Sequence, residues 1–239
     1  MLRLLLTENF PCHGDRGGMP NLKELKPMLL DERPLDVEEP GWIYEIKFDG
    51  SRLMAEFGDG KCELRTGEGA DATKWYPEIA GALAAIKGGP YVTDGQVCVL
   101  NEMGRSDFAR LQIRALRRGW YEGADSVVYC TFDLLIDGLA DLTELPLVER
   151  KARLAKLLKD PMPSVIYVNH FDNEAHDINI IVRDAVVPFE LEGLVAKRKN
   201  SVYTPGARTR DWVKMTRKGA MPAQRLKHGP TSRDISIGP

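Results

Sequence analysis

Between Trp42 and Phe57 apolar and polar residues alternate, the period of half-buried strands, and the run is broken at Asp49-Gly50. Asp-Gly between two such runs is a hairpin signal. The pattern therefore predicts two strands joined there, with a further strand over 61–65. "YPEIAGALAAIK" places Ile79, Leu83 and Ile86 at helical spacing. "PYVTDGQVCVL" reads as a strand, and Ser106 is placed to cap a helix carrying Arg110, Arg114 and Arg117. "SVVYCTFDLLI" is almost continuously apolar and predicts a buried central strand ending at the Asp137-Gly138 turn. Pro146 opens a helix to about Leu158, since proline suits a first turn. "SVIYVNH" is a strand, 173–187 a helix, "LEGLVAKR" a strand, "NSVYTPGARTR" a loop and "DWVKM" a last strand. Mixed elements with early hairpins predict an α+β fold built on antiparallel sheet, with flanking helices. Residues 1–26 read as an N-terminal extension, 27–216 as the folded domain, and 217–239 as a basic tail without apolar periodicity.

Charge sharpens this picture. The net charge of −2 hides a division: from Lys197 onward 11 Lys and Arg face only Asp211 and Asp234, a local balance of +9. A basic block on an acidic body suits contact with phosphates, although a basic tail can equally be a solvated one. Arg110, Arg114 and Arg117 share one predicted helix face, which either tracks a nucleic-acid backbone or faces water. No apolar run reaches the ~20 residues of a membrane span, and the start lacks the pattern of a secretory leader, so the sequence reads as cytoplasmic. Cys12, Cys62, Cys98 and Cys130 are widely separated, and His170 and His176 are not at i, i+4 spacing. Neither a zinc site nor a disulfide framework is expected.

The residue that stands out is Lys47, in "YEIKFDGSRLMAEF". A lysine on a mostly buried strand face is costly unless it is paired or used. It could reach water, pair with Glu45 or Asp49, or do chemistry.

Seven segments bear on that choice: "EIKFDGSR", "TDGQVCVL", "CTFDLLIDG", "PLVERKARL", "LEGLVAKR", "SVYTPGARTRDW" and "WVKM". In this order and spacing they resemble the nucleotidyltransferase (adenylation) domain of ATP-dependent DNA ligases, most of all the bacterial end-joining type. The resemblance runs from about Pro27 to Lys214. It implies an ATP-grasp-like ligase adenylation fold and a role in DNA repair. Lys47 would take AMP from ATP, release pyrophosphate, and pass AMP to the 5′-phosphate of nicked double-stranded DNA, whose 3′-hydroxyl then displaces it. A free lysine, with a pKa of ~10.4, is a poor nucleophile near neutrality. Partial burial beside Arg52, Lys214 and a bound Mg²⁺ or Mn²⁺ would favour the neutral amine.

The resemblance also implies roles for the neighbours. Asp49 and Gly50 shape the turn presenting Lys47, and Ile46 lines the nucleotide site beside it. Glu45 would read the adenine amino group and Phe132 would stack on the base, though its setting alone reads as core. Arg52 would lie by the ribose and the nick phosphate, Lys197 near the nucleotide, and Lys214 on the α-phosphate. Glu192 would hold the metal. Trp212 reads as packing.

Three positions depart from the family pattern. Gly67 stands where an arginine is usual, with Arg65 two residues away. Gln96 replaces a glutamate; it can bond a ribose hydroxyl but carries no charge. Thr216 replaces a lysine, leaving Arg217 or Lys218 to supply that cation. The residues after Thr216 are too few for the small oligonucleotide-binding barrel that follows in these ligases. A separate polypeptide carrying that barrel, or a DNA end-joining protein, is the partner this implies. Two other readings share the lysine motif: an RNA ligase or capping-type nucleotidyltransferase, and a non-catalytic nick- or nucleotide-binding descendant.

Overall fold

The computed structural model describes Leu22, Lys23 and residues 25–217. The readings made for 1–21, Glu24 and 218–239 lie outside the described residues. Leu22 and Leu25, at the end of the stretch read as an extension, are buried in the main core.

The described chain runs β1 (Leu29–Asp31), β2 (Trp42–Ile46), β3 (Ser51–Gly58), β4 (Lys61–Thr66), α1 (Pro77–Ala84), β5 (Tyr91–Cys98), α2 (Phe108–Leu116), β6 (Val128–Asp137) and β7 (Ala140–Asp141). It continues with α3 (Leu147–Leu157), β8 (Val165–Tyr167), β9 (His170–Asp172), α4 (Ile178–Ile181) with a π-helical turn at Val182–Val186, β10 (Gly193–Arg198) and β11 (Arg208–Thr216). One sheet has the order β1-β11-β10-β2-β9, the other β4-β3-β5-β6-β7, with β8 added beside β6. The longer pairings are antiparallel, as the α+β reading expects, while the short β1 and β8 pair in parallel.

Side-chain alternation sorts the core. Ile43 of β2, Met54 of β3, Cys130 and Phe132 of β6 and Trp212 of β11 meet in one cluster drawn from both sheets. Leu53, Ala55 and Phe57 of β3 turn the other way, onto α1 and α2. Trp42 and Tyr44 of β2 pack outward against α4 and the π turn.

Several expectations are corrected. Asp49-Gly50 is not a hairpin. Ile46 pairs with Leu194 in the first sheet, whereas Ser51 pairs with Val97 in the second, so residues 47–50 carry the chain between sheets. Gly50 is needed there for close approach: a Cβ would stand 2.3 Å from the Val97 carbonyl oxygen and 2.6 Å from Cys98 Sγ. The true hairpin is one strand later, at Asp59-Gly60, where φ is 46° and 85°. "SVIYVNH" splits at buried Val168, β8 joining the second sheet and β9 the first. α2 is capped by Asp107, whose carboxylate accepts from Arg110 N, and not by Ser106. The basic face of α2 is not a shared surface. Arg114 is fully buried, donating to Gly119 O at 2.6 Å and to the Glu78 carboxylate, and so ties α2 to α1. Arg110 pairs with Asp125, and Arg117 lies over the Tyr121 ring.

Candidate active site

The inner faces of the two sheets enclose a cleft, and pleat alternation decides which residues enter it. Arg52, Gln96 and Cys130 are direct neighbours across β3, β5 and β6. Phe132 follows two residues on, hence on the same face. From the opposite sheet come the paired Glu45 and Val195 and the paired Lys197 and Trp212. These residues line one cavity with Ile46, Lys47 and Phe48.

A second cavity opens on the other side of the same three residues. It is lined by Asp49, Arg105, Ser106, Glu190, Leu191, Glu192 and Arg217. Lys47 thus stands where the two cavities meet. Its backbone N–H donates to Gly193 O at 3.0 Å, and its ammonium donates to Glu192 Oε2 at 2.6 Å. Gly193 permits that junction: its φ is +152°, and a Cβ would lie 2.0 Å from Met215 O. Asp49 N donates to Ser106 Oγ at 3.1 Å, so Ser106 anchors the Lys47 segment in place of a helix cap.

Glu45 is 2% exposed and gripped at both oxygens. Lys151 Nζ donates to Oε1 at 2.6 Å and also bonds the carbonyls of Val168 and Phe132. Lys197 Nζ stands 2.7 Å from Oε2. Burial alone would raise the Glu45 pKa, but Lys151 and Lys197 more than offset it and the carboxyl sits below its usual range. The two lysines differ. Lys151 has three acceptors, and although burial opposes its charge, Glu45 leads the interactions that push its pKa up. Lys197 has its ion pair but no well-aligned hydrogen bond, and its ammonium lies 4.0 Å from the Phe132 ring centroid and 4.1 Å from that of Trp212. Burial brings its pKa down to about 8.

That shift predicts a pH dependence. An unfolded lysine titrates near ~10.4. Between about 8 and that value the unfolded chain holds the proton that native Lys197 has lost, so this group adds stability as pH rises. Relative to Lys197→Met, the wild type should gain roughly 2 kcal/mol between pH 7.5 and pH 10. Paired urea titrations at the two pH values measure this. A gap that stays constant refutes it.

Arg52 is committed. Its Nε and Nη2 reach the two oxygens of fully buried Asp94 at 2.6 Å each, and Nη2 also donates to Met28 O. Burial works against its charge, but Asp94 holds it firmly protonated. Its Cζ lies 4.9 Å from the Phe132 centroid. Gln96 donates to Gly50 O at 3.1 Å, bracing the strand that leaves the Lys47 segment. Lys214 is the direct partner of Val195, on the cleft face of β11, yet its ammonium is drawn 2.7 Å from Glu32 and it lines neither cavity. Arg52 and Lys214, expected to favour the neutral amine at Lys47, are therefore each held by a carboxylate of their own. Glu192 meets Lys47 and neither Lys197 nor Arg198. Arg65 bonds Glu63 and Gly69 O and reaches neither cavity. Gly67 faces the Arg52 side chain, where a Cβ would stand 3.1 Å from Arg52 Cβ.

Among the described residues no group of three or more His, Cys, Asp or Glu is placed to hold a metal. Glu192 offers a single carboxylate. That fits Mg²⁺, which is commonly held by one or two carboxylates plus substrate phosphates.

Sequence reasoning passed over Lys151, Arg105, and the tie from Asp94 to Tyr203, whose hydroxyl donates to Asp94 Oδ2 at 2.6 Å. Lys151 lies within the quoted "PLVERKARL", but its partner Glu45 is 106 residues away.

The two-sheet cleft with a lysine at its junction is the architecture of a nucleotidyltransferase, and comparison with known proteins makes it specific. The chain belongs to the ATP dependent DNA ligase domain family, whose model matches residues 27–216. It is 35% identical over 187 residues to the multifunctional non-homologous end joining protein LigD of Pseudomonas aeruginosa, covering 75% of this chain and 21% of that one. It is 29% identical over 191 residues to the SPbeta prophage-derived DNA ligase-like protein LigB of Bacillus subtilis, covering 80% and 67%. The crystal structure of the ligase domain of M. tuberculosis LigD superposes with a TM-score of 0.66 at 27% identity, over 82% of this chain and 60% of that one. A mycobacterial DNA ligase D complexed with ATP and MES gives 0.64 at 27% identity, over 82% and 61%. The chain thus spans about a fifth of the Pseudomonas relative.

Proposed function

We propose that this chain is an ATP-dependent DNA ligase adenylation domain, spanning 27–216, that forms a lysyl-AMP at Lys47 and passes AMP to the 5′-phosphate of nicked double-stranded DNA. The observation that carries the reading is the position of Lys47 between two unlike cavities. One sets the Phe132 and Trp212 rings beside the Glu45 carboxylate, Gln96, Arg52 and Lys197; aromatic faces next to polar groups suit adenosine. The other is rich in charge and suits phosphates.

In this reading Phe132 and Val195 flank the base, and Glu45, fixed by Lys151, reads its amino group. Gln96 and Arg52 border the ribose, and Lys214, once released from Glu32, reaches the α-phosphate. Lys47 must leave Glu192 before its amine can attack. Glu192 with the substrate phosphates would hold Mg²⁺ or Mn²⁺, which supplies charge compensation to the phosphates. A DNA end-joining protein, or a polypeptide carrying an oligonucleotide-binding barrel, is the partner this reading proposes. No helix among the described residues is long and apolar enough to cross a membrane, and we place the work in the cytoplasm.

The test is incubation with α-³²P-ATP and Mg²⁺ or Mn²⁺, followed by a denaturing quench and peptide mapping at neutral to alkaline pH, where a P–N bond survives. Label on the peptide containing Lys47 is the expected result. Label from GTP in preference to ATP would select a capping-type enzyme. Salt-sensitive binding to nicked DNA with no label under any divalent ion would select the non-catalytic descendant.

A further inference from the structure

The phosphate-side cavity holds Arg105, which no family motif names, and Arg217, the residue after the Thr216 departure. Arg217 is fixed at its base: its backbone N–H donates to Glu192 O at 2.9 Å and its Nε to Leu191 O at 3.0 Å. Among the described residues its two terminal nitrogens have no partner, and the side chain lines the cavity that contains Lys47 and Glu192. Arg105 lines the same cavity, paired at 2.7 Å with Glu190. That carboxylate is 62% exposed, so the pair costs little to open. Lys47, Arg105 and Arg217 balance Asp49, Glu190 and Glu192 within this wall. The two arginines are the cations that stay on this wall when Lys47 acts as a neutral amine.

We propose that Arg105 and Arg217 form an anion subsite for the phosphate group that stands opposite the Lys47 amine. This rests on the adenylation reading for its ligands. Phosphoryl-type transfer places attacking and leaving atoms in line. When Lys47 Nζ bonds to the α-phosphorus, the bond to the bridging oxygen breaks, its electron pair leaves with pyrophosphate, and the amine gives up a proton to solvent. In the next step a 5′-phosphate oxygen bonds to that phosphorus, the P–N bond breaks, and Nζ recovers the electron pair and a proton. Pyrophosphate leaving and 5′-phosphate arriving must therefore occupy the same side of the phosphorus. A guanidinium with two parallel donors fits such an oxyanion. Arg217, one residue beyond Thr216, makes up for the cation missing there.

The test uses the full chain free of AMP. Calorimetric titration with inorganic pyrophosphate, with and without Mg²⁺, is compared for wild type, Arg217→Gln, Arg105→Gln, the double variant and Lys87→Gln, an exposed charge outside both cavities; thermal melts confirm folding. A second arm compares binding of nicked duplex with a 5′-phosphate and with a 5′-hydroxyl. Arg217→Gln should weaken pyrophosphate binding at least tenfold, with Lys87→Gln unchanged, and should erase the preference for the 5′-phosphate. Loss in one arm alone assigns the subsite to the leaving or the arriving group. A double variant that matches wild type in both arms overturns the proposal. Absence of an AMP adduct in wild type, with pyrophosphate binding still dependent on Arg217, would overturn the adenylation reading and leave the subsite standing.

Discussion

Lys47→Ala should form no AMP adduct, while melting only a few degrees below the wild type. The two halves of this expectation have different physical sources. Loss of a covalent nucleophile removes the intermediate itself; in other enzymes such losses are on the order of 10⁶-fold. Here no neighbour can stand in. Lys151 and Lys197 are buried on Glu45, and Lys214 lines neither cavity and in the proposed reading grips the α-phosphate as a cation. Stability is governed by the contact of Lys47 with Glu192, side chains 14% and 22% exposed. A largely buried pair contributes more than the roughly 0–1 kcal/mol of an exposed one, but Glu192 borders a cavity in which the orphaned carboxylate can hydrate. A loss of about 1–2 kcal/mol is therefore expected, a few degrees for a chain of this size. Lys47→Arg makes the separation cleaner. It keeps a cation for Glu192, but a guanidinium stays protonated and is no nucleophile. Labelling with α-³²P-ATP, quenched with denaturant at neutral to alkaline pH, beside calorimetric melts gives both quantities on the same samples. Label persisting in either variant would move the nucleophile elsewhere.

What the sequence made legible follows from period two. Arg52, Gln96 and Phe132 were each named from short motifs, and each lies on the cleft face because its strand alternates in and out. The same logic failed at Asp49-Gly50. Alternating runs on both sides of a turn dipeptide look alike whether the second strand folds back on the first or crosses to another sheet. The difference lies in which strand offers a partner, and Val97 and Leu194 are 46 and 148 residues from Ser51 and Ile46 in numbering. Distance in sequence also hid Lys151 behind helical periodicity and Arg114 behind an apparently polar face. A long basic side chain reads as solvated until its carboxylate is found, and Glu78 is 36 residues from Arg114. Site membership was therefore easier to read than the electrostatic ties that decide which cations are free.

Those ties give the second large effect. Asp94→Ala should destabilise the fold by about 3–5 kcal/mol, the range for removing one member of a buried ion pair. Asp94 is fully buried and accepts from Arg52 Nε, Arg52 Nη2 and the Tyr203 hydroxyl. Its removal leaves a guanidinium without counter-charge and a phenol without an acceptor. Tyr203 in turn accepts from Met28 N at 3.0 Å and lies 5.7 Å, centroid to centroid, from Trp212 in an edge-to-face contact, so the disturbance reaches β11 and the stretch before β1. Asp94→Asn keeps the shape and one acceptor oxygen and should lose less. Because Arg52 also lies over Phe132, both variants should weaken nucleotide binding beyond what unfolding explains. Urea midpoints give the first effect, and ATP titration at a temperature where each variant is folded gives the second. A melting loss of roughly 10 °C is expected for Ala. If Asp94→Ala melts with the wild type, the Asp94–Arg52–Tyr203 network is not what joins the two sheets behind the site.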